Sequence, residues 1–194
     1  MDIPQIRAAT ELEVEATVQA LVLGFGSDPV TRWIWPEPLE YVQGMAAFAR
    51  AYGGKAFAQQ SAYVCDGFAG AALWLPPGVH PDEAELEAVV GNRMDPTRRQ
   101  DVVRALERLE EYHPTEPCWT LPLIAVDVAH QGQGLGGLLM KHALRRCDAD
   151  GTPAYLESSN PQNITLYARH GFEVVGEVRE GDCPVFTPMV RPAS

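Results

Sequence analysis

The chain has 194 residues, a mass of 21.2 kDa and a formal net charge of −11. That length is typical of one domain with a substantial core, and the acidic balance argues against nucleic acid or an anionic membrane as the main partner. No apolar run approaches the ~20 residues that a membrane-spanning helix needs, and the N-terminus lacks the basic start and apolar centre of a signal peptide. We therefore expect a soluble, cytoplasmic protein with a single domain over residues 1–194.

The cysteines do not indicate a metal site or a disulfide framework. Cys65, Cys118, Cys147 and Cys183 are widely separated in the chain, and no pair has the C-x-x-C spacing of a zinc site. The His, Asp and Glu residues show no metal-binding spacing either. We expect mostly buried thiols and no metal.

Hydrophobic periodicity predicts strands and helices along the whole chain. Thr10 and Glu13 have the spacing of a capping box at the first helix start, and Asp66-Gly67 is typical of a hairpin turn. The expected elements, in chain order, are a strand at 5–10, a helix at 10–25, a proline-rich break at 27–38, a helix near 39–58, strands at 61–67 and 68–78, helices over 82–112 with a break near 95–96, a strand at 118–128, a helix ending near 148, a strand at 153–159, a short helix within 161–171, and strands at 172–180 and 184–191. This order predicts an α/β (α+β) domain with a mixed sheet between helices.

The segment QGQGLGG, residues 131–137, stands between the strand at 118–128 and the following helix. Gly132, Gly134 and Gly137 match the dinucleotide-binding pattern G-x-G-x-x-G, but too few residues follow for the rest of a doubly wound sheet. A turn without a ligand would be costly, because glycine destabilises the first turn of a helix. Open backbone amides at a helix N-terminus bind anions, so the loop predicts a phosphate site.

Two motifs resemble the GNAT superfamily of N-acetyltransferases. Gln131-x-x-Gly134-x-Gly136, preceded by a strand ending in IAV, is similar to the Q/R-x-x-G-x-G/A motif of that family. Downstream, YLESSNPQNITLYARHGFEVVG resembles the family's strand, asparagine, helical tyrosine and GF segment. The part LESSNPQNITLYARHGFEV also resembles the puromycin N-acetyltransferase branch, which acetylates an aminonucleoside.

The resemblance implies a fold and a cofactor. The fold would be a single GNAT-like domain with a central, mixed, mostly antiparallel twisted sheet of about six to seven strands, in which the strand before the loop splays from its neighbour. Acetyl-coenzyme A would place its pyrophosphate on the loop amides and its pantetheine arm along the splayed strand. The implied cofactor-binding residues are Ile124, Ala125, Val126, Gln131, Gly132, Gln133, Gly134, Leu135, Gly136, Gly137, Asn160, Asn163 and Tyr167.

The same resemblance implies roles for two catalytic residues. Tyr167 matches the family's general acid, which would protonate the leaving thiolate; its alternative role is packing. Glu157 matches a carboxylate that some members use as the base, although Asp127, His130 or a water remain alternatives. Asn160 could equally cap a turn, since Pro161 follows it.

The N-terminal half is expected to form the acceptor site. Its candidate residues are Asp28, for a cationic group, and the aromatic side chains Trp33, Trp35 and Trp74, with Tyr63 beside them. The charged segment 80–112 would form a lid or a dimer contact. We expect the acceptor to be a small primary amine. We expect no nucleic-acid or membrane partner, and a protein that is a monomer or a homodimer. A peptide N-acetyltransferase and a non-catalytic acyl-coenzyme A binding module are the alternatives.

Overall fold

The computed structural model describes residues 5–193. The seven strands of the described chain are β1 Ile6–Ala8, β2 Ala62–Cys65, β3 Gly70–Leu75, β4 Trp119–Val126, β5 Ala154–Ser158, β6 Glu173–Val174 and β7 Thr187–Arg191. The helices are α1 Val14–Gly24, α2 Pro29–Ile34, α3 Pro38–Gly53, α4 Glu83–Arg93, α5 Pro96–Glu110, α6 Leu135–Asp150 and α7 Ile164–Ala168. Short 3₁₀ turns lie at Glu11–Glu13, Gly54–Ala56, Asp66–Phe68, Val128–His130 and Pro161–Asn163.

All seven strands join one sheet in the order β1-β2-β3-β4-β5-β7-β6. Every neighbouring pair is antiparallel except β4 and β5. The parallel pair is short, because only Trp119–Leu121 pairs with Ala154–Leu156. Beyond Leu121 the two strands have no pairing, so the centre of the sheet opens towards the end of β4. The predicted mixed, mostly antiparallel sheet with a splayed strand is confirmed.

Strand β4 contains a β-bulge next to this opening. Leu73 of β3 pairs with Leu123, whereas Leu75 pairs with Thr120, so one extra residue of β4 is inserted between the two pairs. The bulge reverses the alternation of side chains along the strand. Trp119 and Leu121 therefore lie on one face of the sheet and Leu123 on the other. Pro122 fits this position because it has no N–H for a ladder to use.

The two faces of the sheet bury separate apolar clusters. One face packs against α1 and α3, and its fully buried members include Leu21, Met45 and Leu73. The other packs against α6 through Leu139 and Met140. Burial of such side chains contributes about 1.5–3 kcal/mol each, before entropy losses are subtracted. The site described below lies at the opening beside the end of β4, where the sheet no longer separates the two layers.

Most expected elements are present, with two differences. The proline-rich break contains α2, because Asp28 caps a helix in which Pro29 occupies the first position and needs no N–H partner. The strand expected at 172–180 is only Glu173–Val174, followed by an isolated bridge from Val178 to Phe186. Among residues 5–193, none of the helices has the length and apolar character that spanning a membrane requires.

Candidate active site

The glycine loop forms one wall of a cleft that we call the loop cleft. The other walls come from the end of α1, the last residues of β4, and the segment from Asn160 to Arg169. The expected residues that line it are Ile124, Ala125, Val126, Gln131, Gly132, Gly134, Leu135, Gly136, Gly137, Asn160, Asn163 and Tyr167. Gln133 is exposed and lies outside this lining. The structure thus brings together residues from both sequence motifs.

The loop presents a row of unused backbone donors. Gly132 and Gly134 have φ angles of 76° and 83°, a region in which side chains other than glycine are strained. Gly134 is the N-cap of α6, so Gly136 and Gly137 lie in the first helical turn. Within the described chain, no group accepts a hydrogen bond from the backbone amides of residues 132–137. Together with the helix dipole, these amides fit a phosphate or pyrophosphate group.

Two contacts fix the loop cleft against the strand. The Gln131 side-chain amide donates to the backbone oxygen of Val126 at 3.0 Å, which folds the loop back onto β4. On the other side, α1 approaches β4 so closely that a Cβ added at Gly24 would lie 2.5 Å from the Ala125 Cβ. Glycine is therefore required where α1 forms the cleft wall.

A second cavity, which we call the apolar cavity, lies between the sheet and helices α2 to α5. Its volume is about 150 Å³. It meets the loop cleft at four shared residues, which are Phe25, Ile124, Asn163 and Tyr167. The junction coincides with the opening between β4 and β5, where the backbone edge of β4 facing β5 lacks a strand partner. Two molecules that enter from the two sides would therefore meet at this edge.

Tyr167 lies at the junction, where its ring is packed against the protein and its hydroxyl has no hydrogen-bond partner among the described residues. The side chain is 5% exposed and packs edge to face against Phe172, with ring centroids 6.4 Å apart. No described group hydrogen-bonds the hydroxyl. Burial raises the pKa of Tyr167, and the nearby carboxyl of Asp28 raises it further. The phenol therefore stays protonated at neutral pH and is available as a hydrogen-bond donor.

The two asparagines differ in their engagement. The Asn160 side chain accepts from the backbone N–H of Gln162 at 3.0 Å, so it caps the turn Pro161–Asn163. The side chain of Asn163 makes no such cap and lines both the loop cleft and the apolar cavity. The capping interpretation of Asn160 thus has direct support, while Asn163 retains a free amide at the junction.

Glu157 faces the apolar cavity and is held by two phenols. Its carboxylate accepts from the Tyr155 hydroxyl at 3.0 Å and from the Tyr52 hydroxyl at 3.3 Å. Burial raises the pKa of Glu157, although the two hydrogen bonds and the neighbouring His113 oppose the shift. A carboxyl with a raised pKa is a stronger base than an exposed one, which suits proton removal from an ammonium group.

Three of the aromatic residues expected at the acceptor site lie outside the apolar cavity and the loop cleft. Trp74 is 0% exposed and packs in the cluster against α6, on the opposite face of the sheet from the apolar cavity. Tyr63 belongs to the same cluster. Trp33 lines neither the apolar cavity nor the loop cleft, and its ring lies under the Arg98 guanidinium at 5.6 Å. These three side chains therefore line neither cavity, and Trp35 alone of the tryptophans lines the apolar cavity.

Asp28 has a structural role that the sequence did not reveal. One carboxylate oxygen accepts from the N–H groups of Val30 and Thr31, and the other accepts from the Ser159 hydroxyl at 2.6 Å. Both oxygens are thus committed to protein donors, and burial raises the pKa of Asp28. The Asp28 carboxylate is therefore not free to bind a cationic substrate in the way that the sequence predicted.

Asp127 is likewise unsuited to act as the base. It follows the end of β4, caps the turn Val128–His130 by accepting from Ala129 N–H, and contacts the His130 ring at 3.3 Å. It lines neither the apolar cavity nor the loop cleft, whereas His130 lies at the outer part of the loop cleft. Of the two carboxylates considered as the base, Glu157 is therefore the one that lines the apolar cavity.

Several residues around Glu157 had no signal in the sequence. Tyr52 comes from the end of α3, Tyr155 from β5, and the His113 ring packs at a tilt against Tyr155 with ring centroids 4.7 Å apart. Tyr52 and His113 lie far from Glu157 in the sequence and no short motif links them to it, whereas Tyr155 lies two residues before Glu157 and begins the downstream motif. Of the motif residues, Tyr155 and Glu157 are the two that could have directed attention to this cluster.

Residues 113–192 match the family model of the acetyltransferase (GNAT) domain. An uncharacterized N-acetyltransferase of Schizosaccharomyces pombe is 26% identical, over 54% of this chain and 47% of its own length, so the match spans about half of that relative. A Corynebacterium glutamicum structure named for histone acetyltransferase HPA2 and related acetyltransferase has a TM-score of 0.70 and 25% identity, covering 98% of this chain and 97% of that one. Arylalkylamine N-acetyltransferase 2 of Aedes aegypti has a TM-score of 0.69 and 12% identity over 100% of both chains, which shows a shared fold.

The domain match covers less than half of the chain. Together with the fold, it supports the similarity of this chain to GNAT N-acetyltransferases that the two sequence motifs indicate. The more specific resemblance to the puromycin branch stays a prediction.

Proposed function

We propose that the protein transfers an acetyl group from acetyl-coenzyme A to the primary amine of a small molecule. The observation that carries this proposal is the junction at which the loop cleft meets the apolar cavity, lined on both sides by Asn163 and Tyr167. A reaction between two ligands requires that their reacting atoms be held together at such a point. Direct attack of the amine on the acetyl group fits this arrangement, because both ligands would be bound at the same time and no covalent enzyme intermediate would be needed.

The loop cleft has the donors that coenzyme A requires. The free amides of residues 132–137 would hold the pyrophosphate, and Arg169 at the cleft edge adds a positive charge. Ile124, Ala125 and Val126 line the cleft along the unpaired edge of β4, and their backbone groups would pair with the pantetheine arm. Asn163 would add a side-chain contact to the arm. The residues present therefore fit this cofactor.

Bound acetyl-coenzyme A supplies the acetyl group as a thioester. In the transfer, the bond between the amine nitrogen and the acetyl carbon forms, and the bond between that carbon and sulfur breaks. Glu157 accepts a proton from the acceptor ammonium, directly or through water, so that the nitrogen lone pair is free. Tyr167 would donate a hydrogen bond to the departing sulfur, and a backbone amide of β4 would stabilise the oxygen of the acetyl group. The second proton, which the nitrogen loses once it is acylated, would pass to that sulfur, so the products are the N-acetylated amine, the free thiol and the proton held by Glu157.

An acetylation assay with a panel of primary amines and a free-thiol readout tests the proposed function. We expect thiol release that depends on an amine, and an acetylated product detected by mass. The panel includes arylalkylamines, aliphatic amines, aminonucleosides, aminoglycosides and a lysine peptide. Release with the peptide alone would favour a peptide N-acetyltransferase. Stabilisation by acetyl-coenzyme A without turnover of any amine would favour a binding module, and stabilisation by NAD instead would contradict the coenzyme A site.

Replacing Glu157 with glutamine is expected to lower turnover about 100-fold, within the range usual for loss of a general base. Because the pKa of Glu157 is raised, the wild-type rate should increase with pH as this carboxyl ionises, and the variant should lose that increase. The ionised form is disfavoured in the folded state, so wild-type stability should fall as pH rises through this pKa. The variant should therefore gain thermal stability relative to wild type towards neutral pH.

Glu173→Gln is the matched control, since Glu173 is exposed on the edge strand β6. It removes the same charge and should leave both the rate–pH profile and the melting profile unchanged. A Glu157→Gln variant that keeps the wild-type rate and pH dependence would show that water or another group removes the proton.

A further inference from the structure

The apolar cavity has an uneven distribution of polar groups. The part formed by α4, α5 and the residue following α4 carries only apolar side chains, which are those of Leu86, Val90, Met94, Val102 and Leu106. Polar side chains enter from the other walls: Glu157 and Ser159 at the end of β5, Asn163 and Tyr167 at the N-cap and within α7, and Thr31 and Tyr52 on α2 and α3. Glu157 also lines a more polar pocket together with Glu110 and Glu116. An acceptor whose amine reaches Glu157 through the apolar cavity extends the rest of the molecule towards an apolar wall.

Several of these polar groups are already used within the protein. Thr31 donates to the backbone oxygen of Phe25, Ser159 donates to Asp28, and Tyr52 donates to Glu157. Trp35 keeps its indole N–H on the backbone oxygen of Arg93, so it offers its apolar ring to the cavity. Glu157 is the one carboxylate among the residues that line this cavity.

The size of the cavity limits what can enter. A cavity of about 150 Å³ lined by apolar side chains is comparable to engineered cavities that accept a benzene molecule. The volume suits one aromatic ring or a branched alkyl group. A second ammonium group on the acceptor would lie beside the buried side chains of Met94 and Val102 without a carboxylate or a side-chain hydrogen-bond acceptor there, which is strongly unfavourable.

We propose that the acceptor is a monoamine whose single charged group is attached to an apolar tail the size of one ring or a branched alkyl chain. This inference rests on the proposed function and specifies its substrate class. It excludes diamines, polyamines and aminoglycosides as preferred substrates, although the net charge of −11 would favour attraction of cations. The acidic residues responsible for that charge therefore do not select the substrate; the wall formed by α4 and α5 does.

The test compares phenethylamine and 3-methylbutylamine with 1,4-diaminobutane in the thiol-release assay. We expect kcat/KM to be higher for the two monoamines by on the order of 100-fold, because the diamine leaves a buried charge unpaired. Thermal shifts with each amine in the absence of acetyl-coenzyme A give a readout that does not depend on turnover. The monoamines should raise the melting temperature and the diamine should not.

Leu106→Glu places a carboxylate on the apolar wall and provides the specificity readout. Leu106 is 42% exposed, so the charged side chain should not prevent folding. We expect the preference to shift towards 1,4-diaminobutane by at least tenfold. Val103→Glu is the control, because Val103 is 37% exposed on the same helix but does not line the cavity.

Each outcome bears on a separate claim. Preference of the wild type for the diamine, or a thermal shift with the diamine alone, would overturn the inference while leaving the acetyltransferase proposal intact. Thermal shifts with the monoamines without acetylation would support the apolar acceptor site and contradict the proposed function. Equal effects of Leu106→Glu and Val103→Glu on the preference would show that the α4–α5 wall does not select the acceptor.

Discussion

Replacing Tyr167 with phenylalanine is expected to lower turnover by about 1,000-fold while acetyl-coenzyme A still binds. The change removes only the hydroxyl, which no described group hydrogen-bonds, and keeps the ring that packs on Phe172. Loss of a donor to a developing anion in a partly enclosed site typically costs a factor of 10² to 10³ or more. The measurements are steady-state thiol release and the thermal shift produced by acetyl-coenzyme A.

The raised pKa of Tyr167 refines the role predicted from the family resemblance. Its phenol is a weaker acid than free tyrosine, and a thiol is more acidic than either. Complete proton transfer from Tyr167 to the thiolate is therefore uphill, and hydrogen-bond donation as the carbon–sulfur bond breaks is the more effective contribution. A consequence is that ionisation of Tyr167 produces no fall in rate near neutral pH.

Tyr63→Phe is the matched control for this experiment. Tyr63 is also a buried tyrosine, but it packs on the face of the sheet that carries α6 and lines neither the apolar cavity nor the loop cleft. Its replacement should leave turnover unchanged. If Tyr167→Phe also left turnover unchanged, the hydroxyl would have no part in thiol departure, and Tyr167 would be a packing residue.

Replacing Gly136 with aspartate is expected to weaken acetyl-coenzyme A binding by about 1,000-fold. Gly136 lies in the first turn of α6 and lines the loop cleft, so the carboxylate would stand among the amides that we assign to the pyrophosphate. Two like charges about 4 Å apart in a partly buried site repel by roughly 4 kcal/mol, which corresponds to a factor near 1,000. Isothermal titration calorimetry measures this loss directly.

The backbone at Gly136 permits this substitution without strain. Its φ angle is outside the positive region, and an added Cβ would meet the nearest atom, Leu166 Cδ2, at an ordinary 3.4 Å. An acidic residue in a first helical turn also interacts favourably with the helix dipole. Stability should therefore be kept. Gly91→Asp, on the exposed surface of α4, is the control of equal charge and should bind as wild type does; unchanged affinity in Gly136→Asp would locate the phosphates elsewhere.

Local patterns were sufficient to predict the loop cleft. The glycine spacing at residues 131–137 depends on backbone conformation and helix initiation, and both are set by neighbouring residues. The segment from Asn160 to Tyr167 is equally local, and the structure brings it onto the same cleft. The sheet was predictable for a related reason, because strand and helix periods are visible in the sequence.

The acceptor side could not be predicted in the same way. Trp35 and Trp74 are equally apolar, and which cluster receives each one is decided by long-range packing of α2 and β3. The bulge in β4 also reverses the side-chain alternation after Leu121, and a simple period-two pattern misses that reversal. The hydrogen bond between Ser159 and Asp28 could not be predicted from the sequence, because the two residues lie 131 positions apart in the chain.

The short parallel pairing of β4 and β5 has a mechanical consequence. Strands β1 to β4 form one antiparallel ribbon and β5 to β7 another, and three residue pairs join the two ribbons. A ligand lying along the free edge of β4 would supply some of the hydrogen bonds that a continuous sheet would have supplied there. A ligand bound there would complete the hydrogen bonding of the sheet as well as bring the reactants together. Ligand binding should therefore also increase the rigidity of the sheet.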